Sequence, residues 1–306
     1  MAKEFQQIAW DESVADDCRQ IVRLAVREDL GRKFDWTTLA LVPSGVEGQA
    51  AMVARSQGVA CGLRAVELAL AEMDAALRLA AEVEDGARVF AGQTLGVLSG
   101  PARSLLTAER ILLNLVGRLS GVASLTRRYV DAVAGTRARI YDTRKTTPGW
   151  RRLEKFAVRC GGGHNHRLGL YDAILIKDNH LALGASSNEP LSPGEAVRRA
   201  RKFARSVATG ESAAEMIVEV EVDTLQQLEL VLPEGPDIVL LDNMSHDQLR
   251  RAVALRDALA SAVELEASGG VHLDNVAQVA ATGVDRISIG ALTHSAPALD
   301  VALDWR

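Results

Sequence analysis

Polar and ionisable side chains stand at the ends of the predicted strands in the second half of this 306-residue chain. They follow or end five of six short apolar runs, as Asp142-Thr143-Arg144-Lys145, Lys177-Asp178-Asn179, Glu219-Val220-Glu221, Asp242-Asn243 and Glu266-Ala267-Ser268. In α/β barrels the active site lies at the C-terminal ends of the strands, so these groups are candidates for one shared site. A single polar residue at such a place can simply begin a loop, whereas five of them together favour a site for a charged ligand.

Two carboxylates, Glu219 and Glu221, alternate within one apolar run. Side chains two residues apart on a strand point to the same face, so these two share a face. Burial of a carboxylate is costly unless a cation or a metal ion answers it, and the pair therefore predicts one of these beside the strand. Lys177 is compatible with Schiff-base chemistry, but its many basic neighbours favour the binding of anions.

Residues 137–167 form a basic segment, with nine Lys or Arg against two acids. The segment carries +7 in a chain of net charge −5, which leaves −12 on the remainder. Such a cluster in an acidic protein indicates a small polyanionic ligand rather than a long nucleic acid. Arg144, Lys145 and Arg167 lie beside turn residues and are the stronger candidates for ligand contacts. Four other members fall on one predicted helix and are interpreted as its solvated face, namely Arg151, Arg152, Lys155 and Arg159.

Three glycine-rich segments allow a ligand to approach the backbone. Gly161-Gly162-Gly163 precedes His164-Asn165-His166-Arg167 and does not follow a strand as a dinucleotide-binding loop would. The two histidines have no carboxylate close in sequence, so donation to an anionic substrate is favoured over a metal pair. Ser268-Gly269-Gly270 and Gly290-Ala291-Leu292 follow the last two strands, where backbone N–H groups often hold a phosphate, although each alone is equally compatible with a tight turn.

Strands that alternate with helices must position these groups. The predicted strands are Arg139–Asp142, Ala173–Lys177, Met216–Val222, Asp237–Asp242, Val263–Ala267 and Arg286–Gly290, and the predicted helices span residues 151–160, 193–207, 224–232, 246–260 and 273–282. This alternation is typical of a parallel sheet in a barrel or a doubly wound fold. Capping boxes at Ser192 to Glu195 and at Ser245 to Gln248 mark two helix starts. Residues 183–193 are interpreted as an exposed insertion.

The first part of the chain reads differently, as a mixed α/β unit. Helical periodicity covers residues 16–30, 62–73 and 102–134, and strands are predicted near 46–54 and 87–98.

Composition excludes several classes of protein. Forty acidic and 35 basic residues argue against a general nucleic-acid-binding surface. No apolar stretch approaches the length of a membrane span and no signal-peptide pattern opens the chain, so the sequence predicts a cytoplasmic protein without membrane partners. The length favours two domains or a barrel with an appended domain. Cys18, Cys61 and Cys160 have no C-x-x-C spacing and support neither a disulfide framework nor a zinc site.

Longer blocks, which run in order along most of the chain, extend these motifs. They are Glu109-Arg110, Leu119 to Ala123, Thr143-Arg144-Lys145-Thr146-Thr147-Pro148-Gly149, Glu154 to Val158, Gly161 to Leu170, Ile176-Lys177-Asp178-Asn179-His180, Val218 to Val222, Leu240 to Met244, Glu266 to Gly270 and Ser288 to His294. Together they strongly resemble the quinolinate phosphoribosyltransferase family. The first hundred residues fit more loosely, since Phe34-Asp35-Trp36-Thr37-Thr38 stands where the family usually has a Gly-Asp-x-Thr segment.

The resemblance implies an N-terminal α/β open sandwich followed by an incomplete, seven-stranded α/β barrel of the type II phosphoribosyltransferase kind. It places the sandwich in residues 1–115 and the barrel in residues 116–292, with the end of the chain, about 293–306, packing back on the sandwich. It also implies a head-to-tail homodimer, with a hexamer as the alternative. The implied reaction joins quinolinate to phosphoribosyl pyrophosphate and gives nicotinate mononucleotide, CO2 and pyrophosphate in NAD biosynthesis.

The resemblance also assigns roles to individual residues. Quinolinate, which has two adjacent carboxylates, would be bound by Arg144, Arg167 and His166, with Thr143 and Lys177 alongside and Arg110 contributed by the partner subunit. Lys145 and Lys177 would neutralise the departing pyrophosphate, and Glu221 and Asp242 would hold the ribose hydroxyls and Mg²⁺, the metal through substrate or water. The backbone of Ser268, Gly269, Gly270, Gly290, Ala291 and Leu292 would hold the ribose phosphate. The catalytic set is thus Lys145, Lys177, Glu221 and Asp242.

Two alternatives remain at this point. One is a relative associated with molybdenum-uptake operons, which shares the fold but has an unclear substrate; the full set of cations for two carboxylates argues against it. The other is a non-catalytic barrel that binds a phosphate ligand, which would leave Glu221 and Asp242 unexplained.

Overall fold

The computed structural model describes residues 3–184, 191–207 and 216–306, and the chain divides into two compact units. The barrel unit comprises residues 1–7, 129–144 and 164–290, and the N-terminal unit comprises residues 8–128, 145–163 and 291–306.

Helices and strands alternate along most of the described chain. The helices are α1 (Glu12–Leu30), α2 (Trp36–Leu41), α3 (Leu63–Met73), α4 (Ala102–Ala132), α5 (Arg151–Cys160), α6 (Asp178–Leu183), α7 (Pro193–Val207), α8 (Leu225–Val231), α9 (His246–Leu259), α10 (Val276–Ala280) and α11 (Ala291–His294), with a 3₁₀ turn at Leu232–Glu234. The strands are β1 (Glu47–Ala54), β2 (Gly58–Val59), β3 (Arg78–Ala81), β4 (Arg88–Val89), β5 (Thr94–Pro101), β6 (Arg139–Tyr141), β7 (Ile174–Ile176), β8 (Val218–Val222), β9 (Ile238–Asp242), β10 (Glu264–Ser268), β11 (Arg286–Ser288) and β12 (Val301–Trp305).

The barrel unit holds a parallel sheet in the order β6-β11-β10-β9-β8-β7 among the described residues. The first strand in sequence pairs with the last, as in a barrel; a doubly wound sheet would place it inside the sheet. Strand β9 shows why these segments are strands, because Ile238 to Leu241 are all buried, as expected where a parallel strand is covered on both faces. All six predicted strands are confirmed, each to within two residues at either end.

A seventh strand is reduced to a single bridge between Tyr141 and His164. The His164 amide donates to the Ile140 carbonyl at 2.7 Å, and the Asp142 amide donates to the His164 carbonyl at 3.0 Å. This extended segment pairs with β6 on the side that does not face β11. The sheet therefore agrees with the incomplete, seven-stranded α/β barrel that the family resemblance implies, with six strands and a seventh member too short to be assigned as a strand.

The N-terminus and the helix caps also shape the barrel unit. Phe5 packs in a buried cluster with Tyr141, Ala173, Ile217 and Ile238. The Ser245 capping box has both of its bonds, so α9 starts where the sequence predicts.

The second predicted capping box forms only in part. The Ser192 hydroxyl accepts from the Glu195 amide at 3.3 Å, but the Glu195 carboxylate pairs with Arg199. The predicted insertion 183–193 lies mostly outside the described residues.

The N-terminal unit contains an antiparallel sheet in the order β12-β1-β5-β3. Strand β12, near the end of the chain, pairs with β1 from Ala50↔Trp305 to Ala54↔Val301. The predicted domain boundary, between residues 115 and 116, lies inside α4. The three cysteines are free. Among the helices that the structure describes, none is both long enough and apolar enough to cross a membrane.

Candidate active site

Most of the predicted site residues lie at the C-terminal ends of the parallel strands. This end of the barrel sheet is called the open edge. Ser268 of β10 lies directly opposite Asp242 of β9. Glu221 of β8 pairs with Leu240, two residues before Asp242. Lys177 follows β7, and Thr143 and Arg144 follow β6 closely. The sheet topology alone therefore collects two carboxylates, a lysine and an arginine from four different strands.

Arg144 and Arg167 form the cationic side of this edge. Arg167 is buried at 7% exposure, and its Nη1 donates to the Ala173 carbonyl at 3.3 Å. Burial and the neighbouring Arg144 charge lower the pKa of Arg167 below its ordinary value. The buried Nε of Arg144 has no hydrogen-bond partner among the described residues, and no described carboxylate lies within ion-pair distance of either guanidinium. Two neighbouring guanidiniums that have no ion-pair partner among the described residues are of the type that binds carboxylates and phosphates in proteins.

His166 joins this region to the barrel interior. Its ring stacks on Phe5 at 4.3 Å between ring centroids. Its Nδ1 accepts from the Arg167 amide at 2.8 Å, so the proton of the neutral ring resides on Nε2. Nε2 lies 3.1 Å from Glu219 and 3.5 Å from Glu266, both of which are fully buried. Both ring nitrogens therefore have partners inside the protein.

Glu266 is a fully buried acid of this group. Burial raises its pKa to about 7, and the charge of Glu219 adds to that rise. The cation predicted beside this strand is Lys177, whose ammonium lies 2.6 Å from Glu221, while Glu219 has the His166 ring as its partner.

Asp142 holds the histidine segment against β6. Its fully buried carboxylate accepts from the Asn165 side-chain amide at 2.7 Å and from the His166 backbone amide at 2.8 Å. The conformation of the residues around His166 therefore depends on this strand-end acid. Asp142 acts here on the protein backbone rather than on the open edge of the sheet.

The glycine-rich turn after β10 is bonded to the end of β9. The Asn243 amide donates to the Ser268 carbonyl at 2.9 Å, and the Asn243 side-chain amide donates to Asp242 at 2.7 Å. Gly269 has φ +87° and Gly270 has φ +61°, which are conformations that other residues rarely adopt. Gly290 follows β11, the neighbour of β10, so both predicted phosphate-binding segments begin at the same edge.

The remaining predicted site residues belong to the N-terminal unit. Arg110 is exposed on α4, and Lys145 is exposed on the loop before α5. Ala291 and Leu292 begin the short helix α11, where the Leu292 side chain is fully buried, so that residue can offer only its backbone to a ligand.

The interpretation of the basic helix as a solvated face is wrong for Lys155. Leu153 to Val158 are all buried, and Lys155 has no exposed surface, because α5 is covered on more than one side by packing that its own sequence does not reveal. Arg152 pairs with Asp17 at 2.8 Å. Part of the basic segment is therefore buried or paired within the protein and is not exposed to a ligand.

Two basic residues of that segment lie at the far end of β6. Arg139 begins this strand and contacts Glu4 and Glu264, each at 2.7 Å, while Arg137 pairs with Asp285. They neutralise internal acids at the N-terminal end of the barrel, away from the strand ends that carry Arg144.

Two groups of carboxylates can hold a metal ion. Glu221 and Asp242 offer oxygens at the open edge, and oxygen ligands suit Mg²⁺. The Lys177 ammonium on Glu221 favours contact through water or substrate over direct binding by that carboxylate. His166, Glu219 and Glu266 also place ligand atoms within 4.8 Å of one another. However, the proton on Nε2 occupies the nitrogen that would face a metal in this second group.

Sequence reasoning missed a set of supporting residues in the N-terminal unit. Arg118, Glu154 and Thr293 form a bonded group around the loop that carries Lys145. The only signal was the position of Glu154 inside an apolar helical stretch. Phe5 was also missed, because nothing near it in sequence indicates its contact with His166.

Comparison with known proteins assigns the chain to a family. Profiles of "Quinolinate phosphoribosyl transferase, N-terminal domain" and "Quinolinate phosphoribosyl transferase, C-terminal domain" match residues 35–120 and 122–304. A nicotinate-nucleotide pyrophosphorylase (carboxylating) of Mycobacterium leprae is 48% identical over 94% of this chain and 97% of its own length. A probable enzyme of the same name from Bacillus subtilis is 40% identical, over 84% of this chain and 83% of its own.

A solved structure agrees with these matches. The nicotinate-nucleotide pyrophosphorylase from Francisella tularensis superposes with a TM-score of 0.87 at 33% identity, covering 99% of this chain and 100% of its own. The chain therefore belongs to the quinolinate phosphoribosyltransferase family.

Proposed function

We propose that this enzyme transfers the phosphoribosyl group of phosphoribosyl pyrophosphate to quinolinate and releases CO2, giving nicotinate mononucleotide and pyrophosphate for NAD biosynthesis. Its relatives bear the names of this activity. The single observation that carries the proposal is the pair of neighbouring guanidiniums, Arg144 and Arg167. Neither forms an ion pair with a described carboxylate, although the charges of Glu219 and Asp172 act on Arg167 from a longer distance. Quinolinate has two adjacent carboxylates and would supply the missing charge.

Quinolinate binding rests on the cationic side of the open edge. Planar guanidiniums bind carboxylates through two parallel hydrogen bonds, which fixes the orientation of the pyridine ring. His166 supports this arrangement through the backbone, because its Nδ1 accepts from the Arg167 amide. Thr143, next to Arg144, and Lys177 complete the set in this unit. Arg110 is proposed to join them from a second copy of the chain.

Phosphoribosyl pyrophosphate is proposed to bind along the strand ends β8 to β11. The backbone of Ser268 to Gly270 and of Gly290 to Leu292 would donate to the ribose phosphate. Glu221 and Asp242 would accept from the ribose hydroxyls. Lys145 and Lys177 would neutralise the pyrophosphate as it leaves.

Mg²⁺ is the proposed cofactor, with Glu221 and Asp242 as the residues that would hold it through substrate or water. When bound with pyrophosphate, Mg²⁺ neutralises phosphate charge. Mg²⁺ would therefore be held through substrate or water and would not be bound directly by an atom of this chain. The ion pair between Lys177 and Glu221 is compatible with this arrangement.

The chemistry has two stages. In the first, the bond between the ribose carbon and the pyrophosphate oxygen breaks, and the pyridine nitrogen of quinolinate forms the new bond to that carbon. A carboxylate, Glu221 or Asp242, stabilises the positive charge that develops on the ribose. In the second, the carboxylate next to the ring nitrogen leaves as CO2, its electron pair stays on the ring carbon beside the pyridinium, and a proton from water replaces it. The pyridinium is the electron sink, so no organic cofactor is needed.

The functional form is proposed to be a homodimer in which Arg110 of one copy completes the site of the other; a hexamer built from such dimers is the alternative. Arg110 is exposed on α4, as such a role requires. Large apolar side chains on the N-terminal unit are also exposed, including Phe34 and Trp36 at 64% each and Leu41 at 76%, and surfaces of this kind are commonly covered by association. A cytoplasmic location remains a prediction.

A substrate comparison tests the proposal. Purified protein with Mg²⁺ and phosphoribosyl pyrophosphate should release pyrophosphate with quinolinate and release little or none with nicotinate, which lacks the second carboxylate. Equal rates with both acids would contradict the role of the guanidinium pair, and no turnover with either would remove the proposed function.

A further inference from the structure

The loop that carries Lys145 is held by three side chains of the N-terminal unit, two on α5 and one on α11. The Thr293 hydroxyl donates to the Lys145 carbonyl at 2.7 Å. Arg151 Nε donates to the Thr146 hydroxyl at 3.1 Å. The Thr147 amide donates to Glu154 Oε2 at 3.0 Å, and the Thr147 hydroxyl donates to Glu154 Oε1 at 2.8 Å. Three consecutive residues are therefore each bonded to a different partner, although Lys145 and Thr147 are themselves exposed.

Glu154 anchors this arrangement. Its side chain is completely buried, and a buried carboxylate is costly unless hydrogen bonds and a cation answer it. Arg118 answers it from the middle of α4, with Nη2 at 2.6 Å and Nε at 3.1 Å from Oε1. Together with the two bonds from Thr147, these contacts engage both oxygens of the carboxylate.

Arg118 extends the same network to the end of the chain. Its Nη1 donates to the Ala296 carbonyl at 3.0 Å, and its Nη2 also donates to the Thr293 carbonyl. Thr293 is fully buried, so the hydroxyl that contacts Lys145 has a fixed place. One guanidinium therefore positions both supports of the loop, Glu154 at Thr147 and Thr293 at Lys145.

We infer that Thr293, Glu154 and Arg118 are positioning residues for Lys145, which set where its ammonium meets the pyrophosphate of phosphoribosyl pyrophosphate. The inference rests on the proposed function. None of these three residues needs to touch substrate. A lysine side chain has four rotatable bonds, so its ammonium is well positioned only when its backbone is fixed. The hydrogen bonds made by residues 145, 146 and 147 fix that backbone.

A double-mutant cycle on affinity for phosphoribosyl pyrophosphate with Mg²⁺ tests this inference, because calorimetric titration requires no turnover. Thr293→Val keeps the shape of the side chain and removes the hydroxyl. It should weaken this affinity about fivefold, as expected for one hydrogen bond, and leave affinity for quinolinate unchanged. Thr293→Ser, which restores the hydroxyl, should restore the affinity. In a Lys145→Ala background, Thr293→Val should have no further effect.

The outcomes separate a positioning role from a structural one. The inference would be overturned if Thr293→Val weakened affinity for phosphoribosyl pyrophosphate as much in the Lys145→Ala background as in the wild-type protein. It would also be overturned if Thr293→Val alone kept full affinity. If Thr293→Val does not fold, Thr147→Val on the exposed side of the loop removes the hydroxyl bond to Glu154 and should show the same dependence on Lys145. Wild-type protein that binds phosphoribosyl pyrophosphate but does not turn over quinolinate would contradict the proposed function and not the positioning of Lys145. Absence of binding would remove both.

Discussion

Arg144 and Arg167 differ from the other arginines of the basic segment in what surrounds them. Arg137 and Arg139 are paired with acids at the N-terminal end of β6, whereas no described carboxylate pairs with Arg144 or Arg167. Burial and the charge of Arg144 lower the pKa of Arg167, and an anionic ligand would reduce this repulsion between the two cations. At the residue scale, the proposed specificity for a dicarboxylate therefore depends on two cations that have no ion-pair partner among the described residues.

Removal of one of these guanidiniums should affect one substrate only. Arg144→Ala is expected to weaken quinolinate affinity roughly 10- to 100-fold, since hydrogen bonds to charged groups contribute about 1.5–3 kcal/mol. Arg137→Ala, in the same basic segment but paired with Asp285, is the matched control and should leave that affinity unchanged. Calorimetric titration measures both, and equal effects of the two substitutions would show that only the overall charge of the segment matters.

Glu266 makes folding stability depend on pH. Its pKa is about 7 in the folded protein against 4.5 as the ordinary value, so the folded state retains a proton that the unfolded chain loses first. The contribution of protonated Glu266 to the free energy of unfolding is fully present below the ordinary pKa. It is lost as the pH rises through about 7, at up to about 1.4 kcal/mol per pH unit.

Glu266→Gln should abolish this contribution. The free energy of unfolding of wild type minus that of the variant is expected to fall between about pH 4.5 and pH 7 and to level off above that range. Glu229→Gln replaces an exposed carboxylate on α8 and should give a difference that does not change with pH. Urea denaturation across this range measures both differences. A flat difference for Glu266→Gln would show that this carboxyl titrates normally.

At the scale of elements, the ends of neighbouring strands are coupled through the glycine turn after β10. A Cβ on Gly269 would lie 2.2 Å from the side-chain oxygen of Asn243, whereas a Cβ on Gly270 would meet nothing within 4 Å. Asn243 also donates to Asp242, and it has an unusual φ of 53° itself. A clash at residue 269 would therefore be transmitted to a proposed ligand of the ribose.

Alanine at the two glycines should separate this coupling from backbone strain. Both positions have positive φ, so both substitutions carry that cost. Only Gly269→Ala should also displace Asn243, and it is expected to raise KM for phosphoribosyl pyrophosphate roughly five- to tenfold more than Gly270→Ala, about the value of one hydrogen bond. Steady-state kinetics would contradict this prediction if the two variants behaved alike.

Local patterns predicted the barrel elements well. The strands are short apolar runs, and helices such as α7 and α9 begin directly after Ser192 and Ser245, so each start has a signal within a few residues. Elements stabilised by distant contacts were missed. Strand β12 depends on β1, some 250 residues earlier, and α6 starts with contacts between Lys177 and His180 that no simple motif marks.

The residues of the candidate site also fall into a group that could be predicted from sequence and a group that could not. The groups at the open edge could be predicted because the ends of parallel strands must meet. The burial of Lys155 and the network of Arg118 with Glu154 could not be predicted, because they depend on which helices pack around α5.

At the scale of the whole molecule, each compact unit is assembled from separate stretches of chain. The barrel unit takes residues 1–7 from the very start of the chain, and the N-terminal unit takes residues 145–163 and 291–306. The predicted catalytic residues are therefore divided, with Lys177, Glu221 and Asp242 in the barrel unit and Lys145 in the N-terminal unit. Arg110 also belongs to the N-terminal unit, and its proposed role lies in a second copy of the chain.

Mixing two inactive variants tests that role. Arg110→Ala and Lys177→Ala should each have little activity alone. Co-refolded in equal amounts, they should recover about a quarter of wild-type activity, because half of the dimers are mixed and one of the two sites in each is intact. A mixture no more active than its components would contradict sharing of the site, and so would an active Arg110→Ala variant.

Release of labelled CO2 shows directly whether this protein couples phosphoribosyl transfer to decarboxylation. Quinolinate labelled in the carboxylate beside the ring nitrogen would be incubated with the protein and Mg²⁺, with and without phosphoribosyl pyrophosphate. We predict CO2 only when phosphoribosyl pyrophosphate is present, in equal amount to the pyrophosphate formed. Release of CO2 without it, or pyrophosphate formation without CO2, would contradict the account.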